Sequence, residues 1–441
     1  MEAVEAVEVG GHRVPAAGLP TEVGRKLPWW LTDGFGRLFA GQAVSAVGSQ
    51  VTFLALPIAA VFLLGATPAA MGILGALDNL PYLLFGLGVG VVVDRFRRRK
   101  LMIVADLVRA IAVGSVPVAF ALGRLGFEQL CVVVFVVGAG NIIFDVAAQA
   151  QMPDLLARER LVAGNGTLQT ATSLAAVGGP GIAGQLIAFV GAPMAIVLDS
   201  ISYVVSAVFV STIREPEAPR TRSEEPMREQ IASGLRLVRA DVRLVGIAGA
   251  AATISLATNA LFAVFVYYLA MRAGITPAGI GSLFMAVGVA GAVGAVTMPM
   301  LAERIGAGRV LVAMPLAAGL GLAAIPAALE LAPAVSTSVL VAGSLVFGLA
   351  MISFSVLSAG LRQTLAPVEA RGRVLGTLRF FEWGTMPIGS LLGGAVGQVF
   401  GPVVAIELAS AIFACAAIWI VASPLAGMRP AAEAPDATAR G

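Results

Sequence analysis

Several residue types are scarce in this chain of 441 residues, and each scarcity removes a class of function. The one histidine, His12, sits in the polar N-terminal stretch, so a histidine-ligated metal centre or a histidine-based catalytic site has no material. The two cysteines, Cys131 and Cys415, lie far apart in apolar stretches, which excludes a disulfide-stapled scaffold. No G-x-x-x-x-G-K-[ST] sequence is present to cradle ATP, so no nucleotide cofactor is expected and any work must draw on a gradient. Charged residues make up 12% of the chain, against about 25% in an ordinary soluble domain. What fills the space is apolar: 58% of residues are hydrophobic and the mean hydropathy is +0.91. The lipid bilayer is therefore the expected solvent, and an enzyme is not expected.

The net charge of +3 is small, and among the 29 basic residues only Lys26 and Lys100 are lysines. They are not gathered on one soluble face, so nucleic acid is not an expected partner. Met1 opens a polar, Glu-containing segment, and no cleavable leader is expected.

A helix needs about 20 apolar residues to cross the hydrocarbon layer. Twelve such runs are present: 35–64, 69–93, 101–122, 127–149, 162–190, 192–213, 244–271, 278–301, 309–330, 335–361, 374–400 and 402–423. Runs such as Leu80 to Val93 do not alternate polar and apolar residues, which argues against a lipid-facing barrel. With the N-terminus in the cytoplasm, Arg124 and Arg272 alone fall in outer loops. Arg109 and Arg379 lie within spans, and every other basic residue faces inward. Both termini are accordingly expected on the cytoplasmic side, with Trp29 and Trp30 as an interfacial anchor ahead of the first span. The expected organisation is a cytoplasmic tail (1–34), a six-helix bundle (35–213), a hydrophilic linker (214–243), a second six-helix bundle (244–424) and a disordered tail (425–441).

The halves repeat. At an offset of 209, Thr67-Pro68-Ala69 with Gly72 recurs as Thr276-Pro277-Ala278 with Gly281, and Asp94-Arg95 falls on Glu303-Arg304. At 210, Gly166-Thr167-Leu168 recurs as Gly376-Thr377-Leu378, while Gly179, Gly184 and Gly191 fall on Gly389, Gly394 and Gly401. Two six-helix copies in parallel order are a layout of secondary transporters, with cargo handled at mid-membrane between them.

The loop after the second span carries Gly90, Asp94, Arg95, Arg98 and Arg99. It resembles the signature loop G-x-x-x-D-R-x-G-R-[RK] of the major facilitator superfamily, with Arg97 in place of the second glycine. Ala302-Glu303-Arg304-Ile305-Gly306 is a degenerate second copy. The resemblance implies an all-α fold of two pseudo-symmetric six-helix bundles, and a charge cluster that latches cytoplasmic helix ends in one state and releases them in the other. The same arginines also serve as a positive-inside signal. In the fifth span, Gly166, Gly179, Pro180 and Gly184, with Ala175 and Ala183, follow the spacing of the superfamily's antiporter motif. The motif favours export over import, with close helix packing on small residues as the alternative reading.

Arg37 to Gln42 with Ser45, Gly48 and Gln50 is similar to the first-span entry in the branch of the enterobactin exporter and the macrolide-efflux proteins. So are Leu80-Pro81-Tyr82, the stretch Ala105 to Ala110, Asp199 to Tyr203, and Arg379 with Trp383-Gly384, Pro387 and Gly389. The fourth span lacks the arginine of many drug/proton antiporters.

Ionisable groups inside spans are functional candidates because they are costly there. Asp78 lies roughly 15 Å in from the outer end of the second span at 1.5 Å per residue, and is the candidate proton carrier; satisfaction by Asn79 or by an arginine is the alternative. Arg379 and Glu382 lie one turn apart and can pair with each other. The resemblance brings the second and eleventh spans together, which would join Asp78, Arg379 and Glu382 as a charge switch. Asp106 and Arg109 form an i,i+3 pair expected to support the cytoplasmic loop. Asp145, Asp199 and Glu407 are expected near helix ends, where they reach water. Gln42, Asn141, Asn259 and Trp383 are cavity candidates. The whole implies a monomeric inner-membrane antiporter that uses protons to export a small amphipathic compound, such as a drug, siderophore or secondary metabolite, with multidrug resistance as its outcome. An importer of a nutrient or precursor shares these features, and a non-transporting receptor or scaffold is the remaining alternative.

Overall fold

The computed structural model describes residues 8–9, 12–13, 33–86, 88–215, 227–327, 332–367 and 370–428. Apart from a two-residue antiparallel pair, Glu8–Val9 with His12–Arg13, its regular structure is helical. The helices are α1 (Asp33–Phe62), α2 (Pro68–Phe85), α3 (Val89–Arg95), α4 (Arg98–Ala121), α5 (Phe127–Leu155), α6 (Leu161–Val190) and α7 (Ala192–Ser211) in the first half. After α8 (Met227–Ala240) come α9 (Val242–Met271), α10 (Pro277–Ile305), α11 (Ala307–Ala327), α12 (Pro333–Leu365), α13 (Arg371–Val399) and α14 (Pro402–Val421). Ten of these are long and apolar enough to cross a membrane among the described residues. The two long helices outside that set, α2 and α13, pack along each other. They carry Asp78-Asn79 and Arg379 with Glu382, which lowers their mean hydropathy.

In the N bundle α1, α2 and α4–α7 pack together, and in the C bundle α9–α14 do. The bundles meet where α2 lies on α13 and α9, and where α6 lies on α10. The repeat explains how. Thr67 and Thr276 cap α2 and α10, their hydroxyls accepting from the Ala70 and Gly279 N–H at 3.3 Å each, with proline in the first turn. The hairpins α6–α7 and α13–α14 turn on Gly191 and Gly401, at φ 84° and 92°, a region that side chains disfavour.

Two helix crossings obey the same two-fold relation. A β-carbon at Gly72 would lie 2.8 Å from the Gly394 Cα, and one at Gly184 would lie 2.7 Å from the Gly281 Cα. Each crossing also abuts a proline carbonyl: Gly394 would meet the Pro68 oxygen at 2.8 Å, and Gly184 the Pro277 oxygen at 2.9 Å. In lipid the hydrophobic effect does not drive helices together, so close approach on small residues supplies the attraction.

Three boundaries differ from expectation. The second span, expected at 69–93, is divided: α2 stops at Phe85, Gly86 and Gly88 flank the break, and α3 carries the remainder. The linker 214–243 contains α8, which docks on α13 through Gly234 against Thr377 and through Arg373 Nη1 to Ser233 Oγ at 3.2 Å. The C-terminal tail, expected to be disordered from 425, begins with a turn at Pro424–Gly427 whose Leu425 is fully buried. Trp29 and Trp30 and the rest of that tail, 429–441, lie outside the described residues.

Candidate functional site

A cavity of about 460 Å³ lies on the seam, walled by α1, α2, α5 and α7 from the N bundle and by α9 and α13 from the C bundle. Among the described residues, Asp78 supplies its one carboxylate, and no lysine or arginine lines it. The Asp78 side chain has no ion pair or hydrogen bond among the described residues. Its neighbour Asn79 donates from Nδ2 to the Gly75 carbonyl at 2.8 Å and to Asn259 Oδ1 at 3.2 Å. Asn259 in turn donates to the Ser255 carbonyl at 2.9 Å. One amide chain therefore ties α2 to α9 across the seam. Aromatic rings line it as well. Phe53 meets Phe262 edge-on at 6.2 Å, and Phe262 stacks on Phe284 at 5.9 Å. A carboxylate, amides and aromatic faces in one chamber suit a molecule with a polar end and an apolar body.

Behind the N-bundle wall lies a second polar group. Arg109 of α4 is paired with Asp106 and donates from Nη1 to Asn141 Oδ1 at 2.6 Å. Its guanidinium sits 4.8 Å from the Phe144 ring and 4.3 Å from the Tyr203 ring. The Tyr203 hydroxyl is 3.0 Å from Ser49 Oγ. Asn141, Tyr203 and Ser49 all line the cavity. One buried arginine thus joins α4, α5 and α7 and fixes part of the cavity wall.

The structure redistributes the sequence-derived candidates. Asp106 and Arg109, at 0% and 4% exposure, are interior groups and do not brace the cytoplasmic loop. α4 begins at Arg98, which puts Asp106 about 12 Å along the helix. Asp78, Arg379 and Glu382 do not assemble. Glu382 pairs with Arg362 of α12 at 2.8 Å, Arg379 lies 5.8 Å from the Trp383 ring, and neither lines the cavity. Of the cavity candidates, Asn141 and Asn259 line it; Gln42 does not, and Trp383 instead packs edge-on against Tyr82 at 5.3 Å. In the loop, Arg98 pairs with Asp154 at 2.7 Å, and Arg99 donates to the Ser211 carbonyl, so both hold the loop to the N bundle's own helices. The Asp94 side chain lies outside the described residues, Gly90 meets nothing, and Arg95, Glu303 and Arg304 are exposed. Gly179 packs on Gln50 of α1, and Pro180 offers its carbonyl to Gly281, while Gly166 meets nothing. Asp199, expected near water, is fully buried. Asn79, Thr52, Phe53 and Phe262 are cavity residues that sequence reasoning did not single out. Only Asn79 carried a signal, as a polar neighbour of Asp78. Among the described residues no cluster of three His, Cys, Asp or Glu side chains is placed to hold a metal.

Comparison with known proteins agrees with this geometry. The model of a family described as transmembrane secretion effectors matches residues 30–440. Macrolide efflux protein A of Streptococcus pyogenes is 32% identical over 197 residues, 44% of this chain and 47% of that protein. The match therefore spans about half the length of that relative. Multidrug efflux pump Tap of Mycobacterium tuberculosis is 27% identical over 376 residues, covering 81% of this chain and 85% of the pump. Among solved structures, a bacterial homologue of the iron transporter ferroportin in an inward-facing state superposes with a TM-score of 0.69 at 18% identity, over 87% of this chain and 98% of that one. The nucleoside transporter NupG does so with a TM-score of 0.70 at 12% identity, over 89% and 99%; both likenesses bear on fold alone. Ten helices long and apolar enough to cross a membrane among the described residues, a cavity on the seam of a duplicated bundle and a family match over nearly the whole length lead to one conclusion: this chain belongs to the transmembrane secretion effector family, within the major facilitator superfamily.

Proposed function

We propose that this transporter exports a small amphipathic compound from the bacterial cytoplasm in exchange for protons, by alternating access of one central cavity. The observation that carries the reading is Asp78, an unpaired carboxylate lining a chamber that both bundles build. An ionisable side chain at membrane depth is a functional candidate by default, and proton relay is one of the roles such carboxylates serve. Facing a shared chamber, it can bind a proton from one side and yield it to the other as the bundles rock. Cargo and proton then meet at the same place, so the occupancy of one depends on the other. The outward direction rests on the efflux proteins among the relatives. Both termini on the cytoplasmic side, a site in the cytoplasmic membrane and a monomeric working unit complete the reading. The paired glycine crossings, at the Pro68 and Pro277 ends of α2 and α10, are its outer seal.

Inverted membrane vesicles test it. Acidifying their interior should drive uptake of a fluorescent amphipathic compound without a titratable amine in the wild type, and Asp78→Asn should abolish the dependence on the gradient. Uptake that ignores the gradient in the wild type, or survives it unchanged in Asp78→Asn, would overturn the proposal.

A further inference from the structure

α7 carries a carboxyl that the cavity does not use. Asp199 is fully buried. Its Oδ1 accepts from the Ser202 hydroxyl at 3.0 Å, and its Oδ2 has no hydrogen-bond partner among the described residues. Nor does a cation lie within ion-pair distance of it among them. From α4 it is faced by Arg109, and that arginine is already engaged by Asp106, Asn141 and two rings. From α1 it is faced by Gly48 and Thr52, neither of them ionisable. Its own helix adds Tyr203, and Asp145 of α5 acts on Arg109. The count decides the matter: one guanidinium stands against two fully enclosed carboxyls, and it is spent on Asp106. An ionised Asp199 would be an uncompensated buried charge with an unsatisfied oxygen, which proteins avoid by holding a proton.

The carboxyl is not sealed from the cavity by much. Thr52, whose hydroxyl is beside Asp199, lines the chamber, as do Ser49 and Tyr203. The α1 backbone lies directly on the group: a β-carbon at Gly48 would sit 2.7 Å from Asp199 Oδ1. A rotation of α1 would therefore uncover or cover Asp199. At the position related by the 210-residue repeat the C bundle has Ala409, so the feature belongs to one half only.

We propose that Asp199 is a second proton-binding site, reached from the central cavity past Thr52 and the Ser49–Tyr203 pair, so that each cycle exchanges more than one proton. The inference rests on the proton-exchange reading above for its coupling, though not for the proton itself. Infrared difference spectra of the full-length protein in liposomes read the C=O stretch of protonated carboxyls. At neutral pH the Asp78→Asn protein should keep such a band, and adding Asp199→Asn should remove part of it. Thr52→Val, which leaves Asp199 in place, should slow hydrogen–deuterium exchange of that band. The proton-to-cargo ratio from reversal potentials should fall by about one proton in Asp199→Asn, with cargo affinity and thermal stability retained, because asparagine mimics the neutral acid. An unchanged band in Asp199→Asn, or a loss of stability showing that an anion was balancing Arg109, would overturn the proposal. If wild-type vesicles show no gradient-driven transport, the exchange reading and the ratio fail together, whereas the infrared band still decides whether Asp199 holds a proton.

Discussion

The two bundles are copies on the outside and opposites within. The threonine caps of α2 and α10, the hairpin glycines Gly191 and Gly401 and the two glycine crossings correspond across the repeat. At the interior positions that the 209 and 210 offsets relate, the N bundle has Asp106, Arg109, Asp199 and Tyr203, and the C bundle has Pro315, Ala318, Ala409 and Phe413. All eight are buried. What duplication preserved is the geometry that lets helices approach in lipid; what it did not preserve is charge. At these positions the C bundle is packed and apolar, and the fully buried charges lie in the N bundle.

Ways to break this comparison can be ranked by their effect on stability. Arg109→Leu should be the most damaging, since it strands Asp106 as an unpaired buried charge at a cost of about 3–5 kcal/mol. Leucine at both 106 and 109 should recover most of that loss. The C-bundle counterpart Ala318→Gly should cost only about 1 kcal/mol. Thermal unfolding in detergent reads all three, and equal losses at 109 and 318 would contradict the asymmetry.

The crossings test the symmetric part. Gly394→Leu and Gly184→Leu each force a side chain against backbone, and each should lose about 1–3 kcal/mol through overpacking. Transport should fall with stability in both, because the outer seal cannot close. A large effect at one crossing and none at the other would show that the halves seal unequally.

The smallest effect belongs to a surface carboxylate, Asp241, which caps α9 by accepting from the Arg243 N–H at 2.9 Å. Its hydrogen bond from the Arg243 side chain, followed by burial acting in the opposite sense, leaves its pKa below the ordinary carboxylate value. A lowered folded-state pKa means the contribution is present above the unfolded value and lost as pH falls through the folded one. Asp241→Ala should therefore cost about 0.5–1 kcal/mol near neutral pH and nothing in strong acid, in contrast to the buried carboxyls.

The spans, the repeat and the Asp78 position were legible because length, composition and spacing depend on the chain alone. The partners of the interior charges were not. In a soluble helix the polar face marks solvent, but a helix between lipid and other helices is apolar nearly all round, so periodicity cannot say which way a lone Asp points. Depth along α7 suggested that Asp199 reaches water, whereas its face turns it onto α1 and α4. Glu382 has an arginine one turn away on its own helix and nevertheless pairs with Arg362 of α12. Asn79 finds Asn259 in the other half of the chain. Such pairings are decided by which helices become neighbours, and no local pattern encodes that.

The central claim is that cargo moves against protons taken up at the seam. Its most direct test is the alkalinisation of acid-loaded inverted vesicles when cargo is added, followed with an internal pH dye. The wild type should release protons on addition of cargo, and Asp78→Asn, which loses no structural partner and should keep its stability within about 0.5 kcal/mol, should release none. Cargo accumulation with no accompanying proton movement in the wild type would contradict the account.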